Sequence, residues 1–160
     1  MRQATLIYVG RSAEAPWEAL CAIYRRRLQR LLAWQERRVP LAEGRKTDPH
    51  GALLREAKAV LASLSGRETL VALDERGELW HTEDLATFLG EQLAARPVVF
   101  VIGSDLGLHA EVLARAQVWW SLSPLTLPHE LVRLVVMEQL YRALDLLAGG
   151  SYHRSTRLRV

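Results

Sequence analysis

The sequence predicts an α/β fold: a mostly parallel sheet with helices on both faces. Three observations lead there. Short β-branched or apolar runs alternate with longer segments of helical period, and strand-then-helix repetition is what a covered parallel sheet requires. The chain has 160 residues, 49% hydrophobic and 24% charged, enough for one substantial core and no more. No internal repeat, low-complexity tract or linker divides it, so residues 1–160 are read as a single domain, with 149–160 as a mobile basic tail.

In chain order, the strand candidates are Thr5 to Val9, Trp34 to Val39, Thr69 to Leu73, Val98 to Ile102 and Val118 to Leu122. Helical spacing predicts Pro16 to Leu32, Gly51 to Leu64, Glu83 to Ala94 and Ala110 to Ala116 between them. The second helix is the clearest, with Leu53, Leu54, Ala57, Val60, Leu61 and Leu64 on one stripe. A last helix starts at Pro128, a favourable first-turn residue, and runs to Ala148. It is apolar on more than one face, so it needs cover on more than one face. A second copy of the chain is expected to supply it, as a symmetric homodimer. Before this helix, Leu122 to Leu127 carries no charge and alternates apolar with hydroxyl or proline residues, which reads as a buried loop whose main chain needs a partner.

Several classes are excluded. One cysteine, Cys21, forbids an internal disulfide and suits a reducing compartment, and no ligand pattern calls for zinc or another metal. The apolar run Leu6 to Val9 is too short for a signal peptide and nothing approaches a membrane span, so the expected location is cytoplasmic with no membrane partner. The net charge of +3 equals the three arginines of the C-terminal segment, Arg154, Arg157 and Arg159, which suits an anionic partner such as nucleic acid. Arg45 and Lys46 add a second candidate RNA contact.

Three pieces of possible chemistry stand at the ends of the late strands. VIGSDLG, Val101 to Gly107, is a strand running into a glycine-flanked turn, though not a full dinucleotide fingerprint. The uncharged loop offers main-chain groups that could fix the edge of an adenine between leucine walls. Tyr152, His153 and Arg154, after Gly149 and Gly150, bring together a stacking ring, a group that titrates near neutrality and a phosphate-pairing guanidinium. Glu138 and Arg142, four apart, read by default as a helix-surface ion pair.

The order of Ile102-Gly103 with Gly107, then SLSPLTLPH from Ser121 to His129 with Leu131, Val132, Arg133, Glu138 and Leu140 to Ala143, then Tyr152 to Arg154, resembles ribosomal RNA large subunit methyltransferase H, a family of the SPOUT superfamily. The resemblance spans the chain in length and element order and is weakest before Thr69. It implies a C-terminal trefoil knot, an exception to the rule against knots. It also implies a homodimer, S-adenosyl-L-methionine as cofactor, and methyl transfer to N3 of a pseudouridine in 23S ribosomal RNA within the assembled ribosome. By matched motif the cofactor would meet Leu73, Gly103, Leu122, Ser123, Pro124, Leu125, Thr126 and Leu127. The tail would reach an active site, that of the partner subunit, making His153 and Arg154 the leading catalytic candidates beside Tyr152, with Glu138 behind them. This chain departs from the family at Ser104-Asp105, where a second glycine is frequent, and in continuing past Arg154 with STRLRV. Two other readings are a non-catalytic RNA-binding trefoil and a nucleotide-dependent oxidoreductase. The retained motifs oppose the first, and the lack of GxGxxG opposes the second.

Overall fold

The computed structural model describes residues 2–154. Strands β1 (Gln3–Val9), β2 (Ala33–Val39), β3 (Thr69–Leu79), β4 (Val98–Ile102) and β5 (Val118–Ser121) form one sheet in the order β2-β1-β4-β3-β5, every pairing parallel. Helices α1 (Ala15–Gln29), α2 (Pro49–Ala62), α3 (Thr82–Ala95), α4 (Ala110–Arg115) and α5 (His129–Leu147) provide the crossovers and the cover. Because strand side chains alternate in direction, β1 to β4 feed two cores, one on each face of the sheet. Ala4, Leu6, Val71, Phe100 and Ile102 pack against α1, α3 and α5, whereas Ile7, Val9, Ala72, Val99 and Val101 pack against α2 and α4. The α/β class read from the sequence is therefore the class observed.

Strand β3 outruns its expected end at Leu73. Leu73 and Glu78 both pair with Trp120, so Asp74 to Gly77 bulge out before the ladder resumes at Leu79 opposite Ser121. The Asp74 carboxylate closes the bulge, accepting from the backbone N–H and the Nε of Arg76, each at 2.9 Å. Gly77 is required there: a Cβ would stand 2.5 Å from the carbonyl carbon and oxygen of Trp119.

Helix α5 finds much of its cover within its own chain. Its stripe Arg133, Val136, Met137, Leu140, Ala143 and Leu144 is buried, because α5 lies between α1 and α3 over the sheet. Most of its apolarity is thus covered within one chain. The opposite side of the helix carries Leu131, Val135, Glu138 and Arg142, all partly exposed. The buried Arg133 is paired rather than stranded: it lies 4.1 Å over the Tyr8 ring and donates to Glu36 at 2.6 Å and Glu18 at 3.4 Å, while Arg25 closes the network on both carboxylates. It fixes the first turns of α5 to β1, β2 and α1.

Candidate active site

A cavity of about 720 Å³ opens at the C-terminal ends of β3, β4 and β5, where open α/β sheets bind ligands. One wall is the turn after β4. Gly103 permits this turn, since a Cβ there would meet the Gly107 carbonyl oxygen at 2.4 Å, and Gly107 closes it in a left-handed conformation (φ 78°) with its N–H on the Ser104 carbonyl at 2.9 Å. The second wall is the bulged stretch of β3 from Leu73 through Arg76, and the third is the loop from β5 into α5. Leu73, Gly103, Leu122, Ser123, Leu125, Thr126 and Leu127 all line the space; Pro124 does not.

The loop is not the buried segment expected. Leu125 is 71% exposed, and Pro124 and Thr126 are exposed as well. The loop makes its own turn, with the Ser121 hydroxyl donating to the Ser123 carbonyl and the Leu125 N–H donating to the Ser123 hydroxyl, both at 3.0 Å. It therefore forms a rim, with leucines turned to the cavity, instead of packing beneath another element. Sequence reasoning missed Asp74, Glu75, Arg76, His129 and Val132, which share the cavity. Asp74 follows Leu73 in VALD and His129 ends LTLPH, so both stood beside residues already singled out.

The tail candidates assemble elsewhere. Gly149 (φ 75°) ends α5, with the Gly150 N–H on the Asp145 carbonyl at 2.8 Å, and the Asp145 carboxylate then accepts the Tyr152 N–H at 3.0 Å. The Tyr152 hydroxyl donates to Glu138 at 3.1 Å, and Glu138 also receives Arg142 at 2.6 and 2.9 Å. The Tyr152 ring sits 4.8 Å from that of Tyr141 and 4.5 Å beneath Arg142. Burial first, then the hydrogen bond with Tyr24 and the nearby Glu138 charge, push the Tyr152 phenol up to about 12. His153 contacts Glu83 at 3.0 Å and so holds that carboxyl below its ordinary range, while Arg154 is exposed. None of Glu138, Tyr152, His153 and Arg154 lines the cavity of its own chain. Arg157 and Arg159 lie outside the described residues.

Of the other RNA candidates, Lys46 is exposed but Arg45 is engaged. Arg45 pairs with the buried Glu56 and with Asp105, and donates to the Ser104 hydroxyl at 3.2 Å. Ser104 and Asp105 both line the cavity.

A cavity of this size with a glycine turn and a leucine rim, at the carboxyl edge of a parallel sheet, defines an α/β protein that takes a nucleotide-sized ligand. Comparison gives that class its chemistry. A family model described as predicted SPOUT methyltransferase matches residues 2–153. A ribosomal RNA large subunit methyltransferase H from Gloeobacter violaceus is 42% identical over 148 residues, covering 92% of this chain and 96% of that protein. One from Alkalilimnicola ehrlichii is 48% identical over 119 residues, 73% and 76% of the two chains. Among solved structures, a probable methylase family protein from Haemophilus influenzae has a TM-score of 0.56 at 14% identity, over 99% of this chain and 73% of that one. A probable methyltransferase from Bordetella pertussis has a TM-score of 0.54 at 15% identity, over 89% and 94%. These two share the fold. The chain belongs to the ribosomal RNA large subunit methyltransferase H family of SPOUT methyltransferases.

With membership comes S-adenosylmethionine as cofactor, and the residues fit it. Gly103 lets the turn fold back on Gly107 to form a main-chain wall, Leu122, Leu125 and Leu127 offer apolar walls for an adenine, and Glu75 adds a carboxylate to the lining beside Asp74 and Asp105, which are paired with Arg76 and Arg45.

Proposed function

We propose that this methyltransferase acts on N3 of a pseudouridine in 23S ribosomal RNA of the assembled ribosome, working in the cytoplasm as a homodimer whose C-terminal segment is knotted as a trefoil. The large-subunit ribosomal RNA named for the relatives supports the substrate class. One geometric observation carries the reading: Glu138, Arg142 and Tyr152 group away from the cavity, with Glu138 and Arg142 on the same outward side of α5 as Leu131 and Val135, while His153 meets Glu83 of α3. A second copy docking its cavity rim near that side would complete a site that one chain leaves in two halves.

The residues then divide the work. The bound cofactor supplies an electrophilic methyl group on a sulfonium, so alignment contributes most of the acceleration. The acceptor must lose its N3 proton as the new N–C bond forms, because a neutral imide is a poor nucleophile. In this reading His153 takes that proton, and Arg142 and Arg154 supply a positive field that lowers the imide pKa. Tyr152, whose phenol stays protonated near neutrality, orients Glu138 and is not the base. The test is methyl transfer to ribosomes from a strain lacking this modification, followed by mapping of the nucleotide. Label at a pseudouridine N3 supports the reading. Cofactor binding with no transfer would favour a non-catalytic RNA-binding trefoil, and calorimetric binding of a nicotinamide cofactor in place of S-adenosylmethionine would favour an oxidoreductase.

A further inference from the structure

The geometry points to Arg45 as a positioning residue for the cofactor turn, acting through Ser104 and Asp105, rather than as a contact to RNA. This inference rests on cofactor use alone and not on the identity of the methylated nucleotide.

Arg45 arrives from a loop that is itself fixed. Gly44 takes a left-handed conformation (φ 75°), and its carbonyl accepts the N–H groups of Thr47 at 3.1 Å and Asp48 at 2.7 Å. Asp48 then caps α2 by accepting the Gly51 N–H at 2.9 Å, and Arg55 of α2 donates back to the Glu43 carbonyl at 2.6 Å. From this mount the guanidinium, 17% exposed, spans two carboxylates on different elements: Glu56 of α2, 3% exposed, and Asp105 of the cofactor turn. The Ser104 hydroxyl lies between them, contacting Arg45 at 3.2 Å and Glu56 at 3.3 Å while accepting the Leu106 N–H at 3.3 Å. A planar five-donor group suits this bridging, and a lysine ammonium does not.

The consequence concerns the turn. The Gly107 N–H donates to the Ser104 carbonyl at 2.9 Å and the two residues pair as an isolated antiparallel bridge, so the turn closes on itself, and Arg45 ties it to α2 through side chains. Ser104 and Asp105 supply the side chains that Arg45 grips. The clamp fixes the wall of the cavity before ligand arrives and so lowers the ordering cost of binding.

The experiment measures S-adenosylmethionine affinity by calorimetry well below the melting temperature of each variant, alongside the salt dependence of ribosome binding. D105N is expected to weaken cofactor binding about tenfold, the loss of one charge-assisted hydrogen bond, and R45A, which also releases Ser104 and Glu56, by at least as much. The R45A/D105N double variant should be little worse than R45A alone, because both break one clamp. R45K should recover part of the affinity, and kcat at saturating cofactor should change little. K46A should leave cofactor affinity untouched. If R45A does not fold, D105N and S104A read the same clamp from its other end. Additive losses, or wild-type cofactor affinity in R45A with a flattened salt dependence of ribosome binding, would overturn the assignment and return Arg45 to the RNA surface.

Discussion

At the scale of single residues, buried charge is the most informative feature. Burial alone would push the Glu36 carboxyl up, but hydrogen bonds from Arg25 and Arg133 outweigh it and hold it below its ordinary value of 4.5. A depressed folded-state value means that the unfolded chain binds the proton more readily. The stabilisation is therefore present above pH 4.5 and is lost as pH falls through the folded-state value. E36Q should reduce the acid dependence of the melting temperature and cost about 3–5 kcal/mol at neutral pH, since Arg133 would lose its closest counter-charge while remaining buried. Denaturant titrations at pH 3 to 7 check both. Tyr152 runs the other way. Its raised value means that the folded state keeps a proton longer than the unfolded state does, so its contribution is present below pH 10 and fades toward pH 12. Ultraviolet titration of wild type against Y152F should locate one phenol ionising near 12. An ionisation at 10 would leave Tyr152 free of the Glu138 network.

At the scale of elements, periodicity placed every strand and helix, with ends within three residues except that of β3, which runs six residues past its expected end, but it could not see across the chain. The bulge after Leu73 was illegible because Asp74-Glu75-Arg76-Gly77 reads as a turn, and only the approach of the β5 main chain to Gly77 reveals that the strand goes on. G77A should therefore cost about 1–3 kcal/mol by forcing two strands apart, and should also weaken cofactor binding because the bulge forms a cavity wall. Helix α5 was ambiguous for a related reason: apolarity all round the helix says that cover is needed, not which chain provides it. Arg133 is the same lesson in polar form, for its partner Glu36 lies 97 residues away. The two sides of α5 now give opposite expectations. V136D puts an unpaired charge into the core and should unfold the monomer, whereas V135D lies on the outward side and should leave the fold intact while dissociating the proposed dimer. Circular dichroism melts and light scattering at micromolar concentration separate the outcomes. A dimeric, folded V135D would move the interface off this side of α5.

For the whole molecule, the decisive relation is between the cavity and the tail. The motifs named both groups of residues in advance and the family resemblance implied a tail that serves the partner's site, whereas residue spacing alone could not tell that one chain would hold them apart. That arrangement predicts a clean separation of functions. Deleting the chain from Tyr152 onward removes the ring packed on Tyr141, its bond to Glu138 and the His153–Glu83 contact, so a loss of about 1–2 kcal/mol in stability is expected. It removes no cavity residue, so S-adenosylmethionine affinity should stay within about twofold of wild type. Methyl transfer should disappear. Deleting only residues 156–160 should spare transfer and weaken ribosome binding alone, with a shallower salt dependence from the loss of Arg157 and Arg159. Single-turnover methylation on saturating ribosomes is the measurement that matters, because it removes binding from the comparison. Mixing the long truncation with a cavity-defective full-length variant adds a further check: if each site draws its tail from the partner subunit, mixed dimers should regain transfer in one of their two sites. Full-rate methylation by the long truncation alone would exclude Tyr152, His153 and Arg154 from the chemistry.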